Sequence, residues 1–536
     1  MPGPGRGFVH GVTTRQRSGN ALGQEPEPVA FGWWPVDVSQ DIWKAGGMAQ
    51  APHVVVVGGG VSGLAAAHRL TVLGAAVTVL EAADAPGGKL RVSPVAGVPV
   101  DEGAESVIAR RPEAVALFSE LGLDGAVVHP GPGSAALYSR GELRPIPGGQ
   151  LMGVPGDLRA LARSGVLGPA GTLRAALDLA LPRTPVHGDV SVAAHIGGRM
   201  GRQVVDRLVE PLLGGVYAGR ADRLSLESAL PQILPMAREG GSLLRGVRAS
   251  LRGRGAAPTA SGPVFASLRG GIAELAAALA HGCGPRLRTR TRAVSLHRLE
   301  RGWRVRPDPG PPIDCDALLL ACPAPEAARL LTGHAPGAAR ELGAVEHADT
   351  ALVTFALPAY AFPEPPAGTG FLVPAGEGLT VKAATYSSNK WPWIADALRT
   401  AHPGDDLVVV RCSIGRAGET GVLERSDEEL AAVAAADLAT VAGVSGPPVA
   451  TRVTRWADAL PQYGVGHAAR VERVRSAVEA LPGLEVCGAV YGGVGIPACI
   501  AEADGAAERL AAALTTTSPT LRGTGADGNE QQGANP

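Results

Sequence analysis

VVVVGGGVSGLAAAHRLTVLGAAVTVLEA, Val54–Ala82, is the stretch from which the fold of this 536-residue chain is read. His53–Val57 is short, largely apolar and rich in β-branched residues, as a strand buried on both faces of a parallel sheet requires. The pattern then predicts a helix over Val61–Leu73, a stop at Gly74 and a second strand over Ala76–Leu80. Gly58, Gly60 and Gly63 form GxGxxG. The first glycine allows a tight turn, the second lets the backbone approach a pyrophosphate, and the third lets the helix pack on the strand. The helix start aims its free N–H groups and positive dipole end at the phosphates. Glu81 closes the second strand, where a carboxylate can accept both hydroxyls of a ribose. GxGxxG alone says little in a chain with 74 glycines. Strand, turn, helix, strand and acid in this order predict dinucleotide binding, with Gly58, Gly59, Gly60, Val61, Ser62, Gly63, Glu81 and Ala82 in contact.

The rest of the composition sets bounds. Hydrophobic residues make up 45% and charged residues 18%, enough to bury large cores and too apolar for wholesale disorder. The length calls for two or three domains. A formal net charge of −1 supplies no basic field and argues against nucleic acid as a partner. The six cysteines show no CxxC or paired metal-ligand spacing, so no metal site is expected and the thiols read as reduced, in a cytoplasmic protein. No run reaches the roughly 18 uncharged apolar residues of a spanning helix. The N-terminal stretch lacks the apolar centre of a signal peptide and reads as disordered, with Met48 an alternative start just before the first strand. The polar tail from Thr515 reads as loose.

Beyond Glu81 lies EAADAPGGKLRV, with Gly87, Gly88 and Lys89. This turn resembles the second diphosphate motif of the amine oxidase and phytoene desaturase superfamily of FAD enzymes. Val98–Ser106, VPVDEGAES, resembles the superfamily's next flavin-contacting element, which implies contacts from Gly103, Ala104, Glu105 and Ser106. Leu481–Leu514 resembles its closing strand, glycine turn and helix, placing Val494, Gly495 and Ile496 at the flavin's pyrimidine end. The hairpin-like Thr291–Val305 has a counterpart on the adenine side, with Val294 the implied contact. The cofactor is therefore expected to be FAD. With one glycine-rich βαβ unit in the chain, no nicotinamide domain is evident, which favours reoxidation by molecular oxygen or a quinone.

Three further segments narrow the resemblance: LYSRGELRPIPGGQLMGVPGDL (Leu137–Leu158), VVDRLVEPLLGGVYAGRADRLSLESALPQI (Val204–Ile233) and RWADALPQYGVGH (Arg455–His467). Together they resemble the oxygen-dependent porphyrinogen oxidases of haem synthesis over residues 52–514. In that family the tryptophan of the last segment, here Trp456, touches the isoalloxazine. Mitochondrial-type members carry a propionate-binding arginine shortly before the LY pair; GPGSAALYSRG has none there. ESVIARRPE instead supplies Arg110 and Arg111, about where Gram-positive-type members, mostly coproporphyrinogen III oxidases, place a basic residue. The resemblance implies a coproporphyrinogen III substrate held by Arg110 and Arg111, with no side chain acting as acid, base or nucleophile because the flavin carries the redox chemistry. It also implies a transient contact with ferrochelatase and weak or no membrane association through the amphipathic Asp157–Pro182 stretch. Alternatives are a protoporphyrinogen IX oxidase, another amine oxidase or desaturase flavoenzyme, and a non-catalytic flavin or porphyrin carrier.

The expected fold is α/β, with a discontinuous Rossmann-like FAD domain, a mixed α+β substrate domain and a helical insertion. FAD-domain pieces fall at 52–110, 264–330 and 451–514. Substrate-domain pieces fall at 111–150, 233–263 (with a linker) and 331–450. The helical insertion covers 151–232, and disordered ends 1–51 and 515–536.

Overall fold

The computed structural model describes residues 51–255, 263–419 and 421–516. The expectations for residues 1–50 and 517–536 lie outside them.

A parallel five-stranded sheet forms the base, in the order Leu287–Arg288, Ala76–Leu80, His53–Val57, Ala317–Leu320 and Leu484–Val486. Residues from one end of the chain to the other meet in it, so the dinucleotide unit is discontinuous. Val54, Val55 and Val56 are fully buried because both faces are covered. Val61–Val72 and Ile496–Thr516 pack with Ala273–Cys283 on one face. The first of these carries Gly63, Ala65, Ala66 and Ala67 on its buried side, small enough for backbones to approach. The other face takes the helices Ala324–Leu331, Pro336–Gly343 and His467–Glu479 and a small antiparallel sheet. That sheet has three strands, Arg292–Arg298, Trp303–Asp308 and Ile313–Cys315, one more than the predicted hairpin. Cys315 closes it under the fully buried Trp303.

A second, seven-stranded sheet runs Ala450–Pro461, His347–Pro358, Leu407–Ile414, Val381–Tyr386, Gly370–Leu372, Ala135–Ser139, Glu142–Pro145. The helix Asp427–Ala442 covers it, started by a capping box between Ser426 and Glu429. The helical region has its own core, from Val154 to Val247 with Tyr463 and Leu137 docked on it. It takes in the Leu243–Gly255 helix, past the boundary expected at 232, because LLRGVRASL has an apolar stripe that this core covers. The predicted Asp157–Pro182 helical stretch is two short helices, Leu158–Ser164 and Pro169–Ala176, and a 3-10 turn; Gly165, left-handed at φ 67, ends the first.

Candidate active site

The parallel strands deliver their carboxyl ends to one edge, where open α/β sheets bind ligands. Val57 runs into Gly58, whose φ of +110 suits only glycine; a Cβ there would meet Ala321 O at 2.7 Å. A Cβ on Gly63 would fall 1.8 Å from Gly58 O, so turn and helix touch backbone to backbone. Nothing lies within 4 Å of a Cβ built on Gly60, which leaves that face of the turn open. The Glu81 carboxylate is fixed beside it: Gly59 N donates to Oε2 at 2.6 Å and Ala83 N to Oε1 at 2.7 Å.

The other predicted segments fold onto this turn. Gly87 N donates to Gly59 O at 2.7 Å, and a Cβ on Gly88 would stand 3.2 Å from Gly60 Cα. A Cβ on Gly103 would lie 2.3 Å from Lys89 O and 3.5 Å from Trp456 Cζ2, while Trp456 Nε1 donates to Glu102 O at 2.8 Å. Cys499, in the first turn of the last helix, donates its thiol hydrogen to Gly493 O at 3.6 Å. Its N–H also takes the carbonyl of the exposed Gly495 at 3.0 Å. Val494 packs at the rim of the helical core, and Ile496 is buried against the Val61–Val72 helix. Thr291 N donates to Glu81 O at 2.8 Å, which sets the Arg292–Arg298 strand beside the acid. Val294 sits at that strand's bulge, 38% exposed, its carbonyl held by Arg329 Nη1 at 2.6 Å.

The Val98–Ser106 stretch behaves differently from a plain strand. Pairing with Val92–Val95 ends at Asp101, and the chain continues as an irregular segment. Among the described residues, no acceptor takes the N–H groups of Gly103, Ala104, Glu105 or Ser106. Gly103, Glu105 and Ser106 are half-buried and Ala104 is exposed, so these four successive unpaired donors beside an open glycine turn are accessible to an extended polar ligand. The turn, Glu81 and this donor run fit the diphosphate, ribose and ring system of FAD.

Beneath the segment lies a charged cluster that the sequence reading missed. Glu105 Oε1 accepts from Lys390 Nζ at 2.5 Å, and Oε2 accepts from Arg411, whose side chain is 6% exposed. Burial works against ionisation of Glu105, but Lys390 and Arg411 outweigh it and hold the carboxyl at about 2. Burial pushes its neighbour Asp101 up to about 7, against the pull of Arg411. Arg452 donates to Ser93 O, Ser93 Oγ, Val100 O and Asp101 O at 2.8–3.0 Å. Lys390 and Arg411 therefore take up the Glu105 side chain and leave its N–H without a partner among the described residues. One signal was available: a lone arginine in the apolar strand LVVVRCSI, Leu407–Ile414. Buried arginines are rare without a partner.

Arg110 and Arg111 are both exposed. Arg111 Nη2 is engaged by Glu113 Oε1 at 2.5 Å. Arg110 has no ion pair among the described residues and follows by two positions the exposed Ile108, whose strand partner Phe265 is also exposed and lies under Lys390 Nζ at 5.3 Å. Neither arginine is joined to the glycine cradle by a described hydrogen bond or ion pair.

Comparison with known proteins agrees with this geometry. The sequence signature of the family described as "Flavin containing amine oxidoreductase" matches residues 61–511. The chain is 38% identical to the coproporphyrinogen III oxidase of Mycobacterium tuberculosis (strain ATCC 25618 / H37Rv), over 86% of its own length and 97% of the relative's. It is 31% identical to the coproporphyrinogen III oxidase of Bacillus subtilis (strain 168), over 84% and 95%. A crystal structure from Exiguobacterium sp. 255-15 superposes with a TM-score of 0.75 at 31% identity, covering 86% of this chain and 99% of that one.

Proposed function

This chain belongs to the flavin-containing amine oxidoreductase family, and from that premise we propose that it is an FAD-dependent oxidase of coproporphyrinogen III, using oxygen, in haem synthesis. The observation that carries the reading is the convergence of the open Gly58–Gly63 turn, Glu81 and the four free N–H groups at Gly103–Ser106, in a chain whose full-length relatives at 31–38% identity act on this substrate by name.

Bound FAD supplies the two-electron acceptor that takes hydride equivalents from the substrate and passes them to oxygen. Coproporphyrinogen becomes coproporphyrin by losing six electrons and six protons, so three oxygen molecules leave as three of hydrogen peroxide. The protein's part is to bind and orient. Gly59, Gly60, Val61, Ser62 and Gly63 cradle the diphosphate, with Gly88 and Lys89 across from them. Glu81 and Ala82 take the ribose, Val294 the adenine side, Trp456 the ring face, and Val494, Gly495 and Ile496 the far end. Arg110, with Arg111 behind it, holds a propionate at the cleft mouth, where exposed Ile108 and Phe265 suit the apolar macrocycle.

The described helices include none long and apolar enough to cross a membrane. Leu173, Leu177, Leu179 and Leu181 are exposed on the helical region, which supports weak peripheral contact with a lipid surface. Iron insertion is the step that would consume the porphyrin in haem synthesis, which favours a transient contact with a ferrochelatase.

Anaerobic mixing with coproporphyrinogen III tests the proposal. The yellow flavin band should bleach and return on admitting air, with oxygen consumed, peroxide formed and no nicotinamide needed. A flavin that does not bleach leaves a carrier. A higher kcat/KM on protoporphyrinogen IX overturns the substrate while leaving the flavoenzyme.

A further inference from the structure

From Val100 to Glu105, every backbone carbonyl except that of Ala104 accepts a hydrogen bond from a side chain of another element. Arg452 Nη1 and Nη2 donate to Val100 O and Asp101 O, both at 3.0 Å. Trp456 Nε1 takes Glu102 O at 2.8 Å, Arg411 Nη2 takes Gly103 O, and Ser267 Oγ takes Glu105 O at 2.7 Å. Arg411 and Arg452 reach the segment from one row of the seven-stranded sheet, because Thr354 pairs with both in register on its two sides. Two guanidinium groups two strands apart on a buried face repel each other and lose water. Burial, and then Arg411 itself, draw Arg452 down to about 10 against the opposing pull of Glu102. The row serves polar partners outside its own sheet: the Glu105 carboxylate and Gly103 O for Arg411, and Ser93 O, Val100 O and Asp101 O for Arg452. What the row does is pull one edge of the Val100–Glu105 backbone towards the seven-stranded sheet, and the unpaired N–H groups of Gly103, Ala104, Glu105 and Ser106 lie on the same short segment.

We propose that Arg411 and Arg452 are positioning residues: by holding the carbonyls of Val100, Asp101 and Gly103, they present the Gly103–Ser106 N–H groups as a preorganised donor rest for the flavin ring. The inference rests on reading that segment as the flavin-contacting one. Donors fixed in advance favour whichever redox state of the ring carries more negative charge, so the row tunes potential as well as affinity.

The test uses the conservative variants Arg411→Lys and Arg452→Lys, which keep the charge but cannot bridge two acceptors as the guanidinium fork does. Circular dichroism and thermal melting establish that they fold. Apoprotein titrated with FAD should show about a tenfold rise in Kd for each. The two-electron midpoint potential of the bound flavin should fall by about 30 mV, to which a tenfold loss of preference for the reduced ring converts. KM for the porphyrinogen should stay within twofold. Folded variants with unchanged Kd and potential overturn the proposal, even if they melt earlier. Ala104→Pro, which removes one N–H of the rest directly, separates the two layers. If it shifts Kd or potential and the lysine variants do not, the arginine row is merely structural. If neither it nor they shift them, the segment does not meet the flavin at all.

Discussion

The Gly58–Gly63 turn and the Gly103–Ser106 segment, both proposed to meet the flavin, are held in shape by opposite means. The turn is shaped locally. Gly58 adopts φ +110, Gly63 lies against Gly58 O, and the helix behind them begins within three residues. The segment has no such internal order. Its shape comes from Arg411, Arg452 and Trp456, 308 to 354 residues away in sequence, and from Ser267. A locally shaped site fails when its own residues change, whereas a remotely shaped one fails when its supports do. Each region can therefore be broken separately.

The largest expected effect is in the turn. Gly63→Ala would put a methyl group 1.8 Å from Gly58 O, which no side-chain rotation relieves because both atoms belong to backbone or Cβ. Helix and strand must separate, and FAD affinity should fall at least about 100-fold, close to 3 kcal/mol. Titration of the apoprotein, or the ratio of flavin to protein absorbance on purification, reads this directly. A variant that purifies yellow with unchanged Kd would mean that the third glycine is not needed for close packing here.

Glu81→Ala comes next. It removes the acceptor for Gly59 N and Ala83 N together with the ribose contact, and charged hydrogen bonds of this kind are worth about 1.5–3 kcal/mol. Kd for FAD should rise by about 10- to 150-fold. Glu81→Gln, which keeps one acceptor oxygen, should lie between wild type and alanine; equal losses in both variants would show that charge, not acceptor geometry, matters.

The contrast also explains what could be read in advance. The βαβ unit was legible because strand, glycine turn, helix and acid are contiguous and each obeys local stereochemistry. The α/β class followed from it, and the structure has that class. The extra strand Ile313–Cys315 was missed because three residues after the proline- and glycine-rich turn DPGPP carry little periodicity. Arg411 and Arg452 were missed for a different reason. Apart from the Glu105 carboxylate that pairs with Arg411, their partners are mostly backbone carbonyls far off in sequence, and a carbonyl has no residue type. The anomaly of a charge within LVVVRCSI pointed to Arg411 alone. Arg110 and Arg111 drew notice through position in a motif, and such position does not reveal exposure.

The remote supports predict a pH effect. Burial raises the Asp101 carboxyl to about 7, above its unfolded value near 3.8, so the folded protein binds the proton more tightly than the unfolded chain does. The stability that this contributes is fully present below about pH 3.8 and is lost as pH rises towards about 7. Asp101→Asn cannot ionise and escapes that loss. Its melting temperature relative to wild type should therefore climb between pH 5 and pH 7 and level off above, with a slope of at most about 1.4 kcal/mol per pH unit. Glu105 acts in the opposite sense: held at about 2 despite burial, it contributes stability above about pH 4.5 that disappears as acid is added. A flat difference between Asp101→Asn and wild type from pH 5 to 8 would show that Asp101 is ionised throughout, and that the cluster is less desolvated than its geometry indicates.

The smallest effect belongs to Arg110 and Arg111, and here the structure divides a pair that the sequence treats alike. Arg111 is 46% exposed and already bound to Glu113 two residues on. Recruiting it to a propionate means trading one exposed ion pair for another, a change worth well under 1 kcal/mol. Arg110 has no such partner among the described residues and follows by two positions the exposed Ile108, strand partner of the exposed Phe265, where a bound macrocycle would exclude water and strengthen the contact. Arg110→Ala should raise KM for coproporphyrinogen III about threefold to tenfold, a change of about 0.6–1.4 kcal/mol, with kcat and FAD content close to wild type. Arg111→Ala should change KM less than twofold, and the double variant should match Arg110→Ala alone. An equal effect from each single variant would restore the symmetric pair. If neither variant moves KM, the propionates are held elsewhere in the cleft, and the two arginines only keep its rim hydrated.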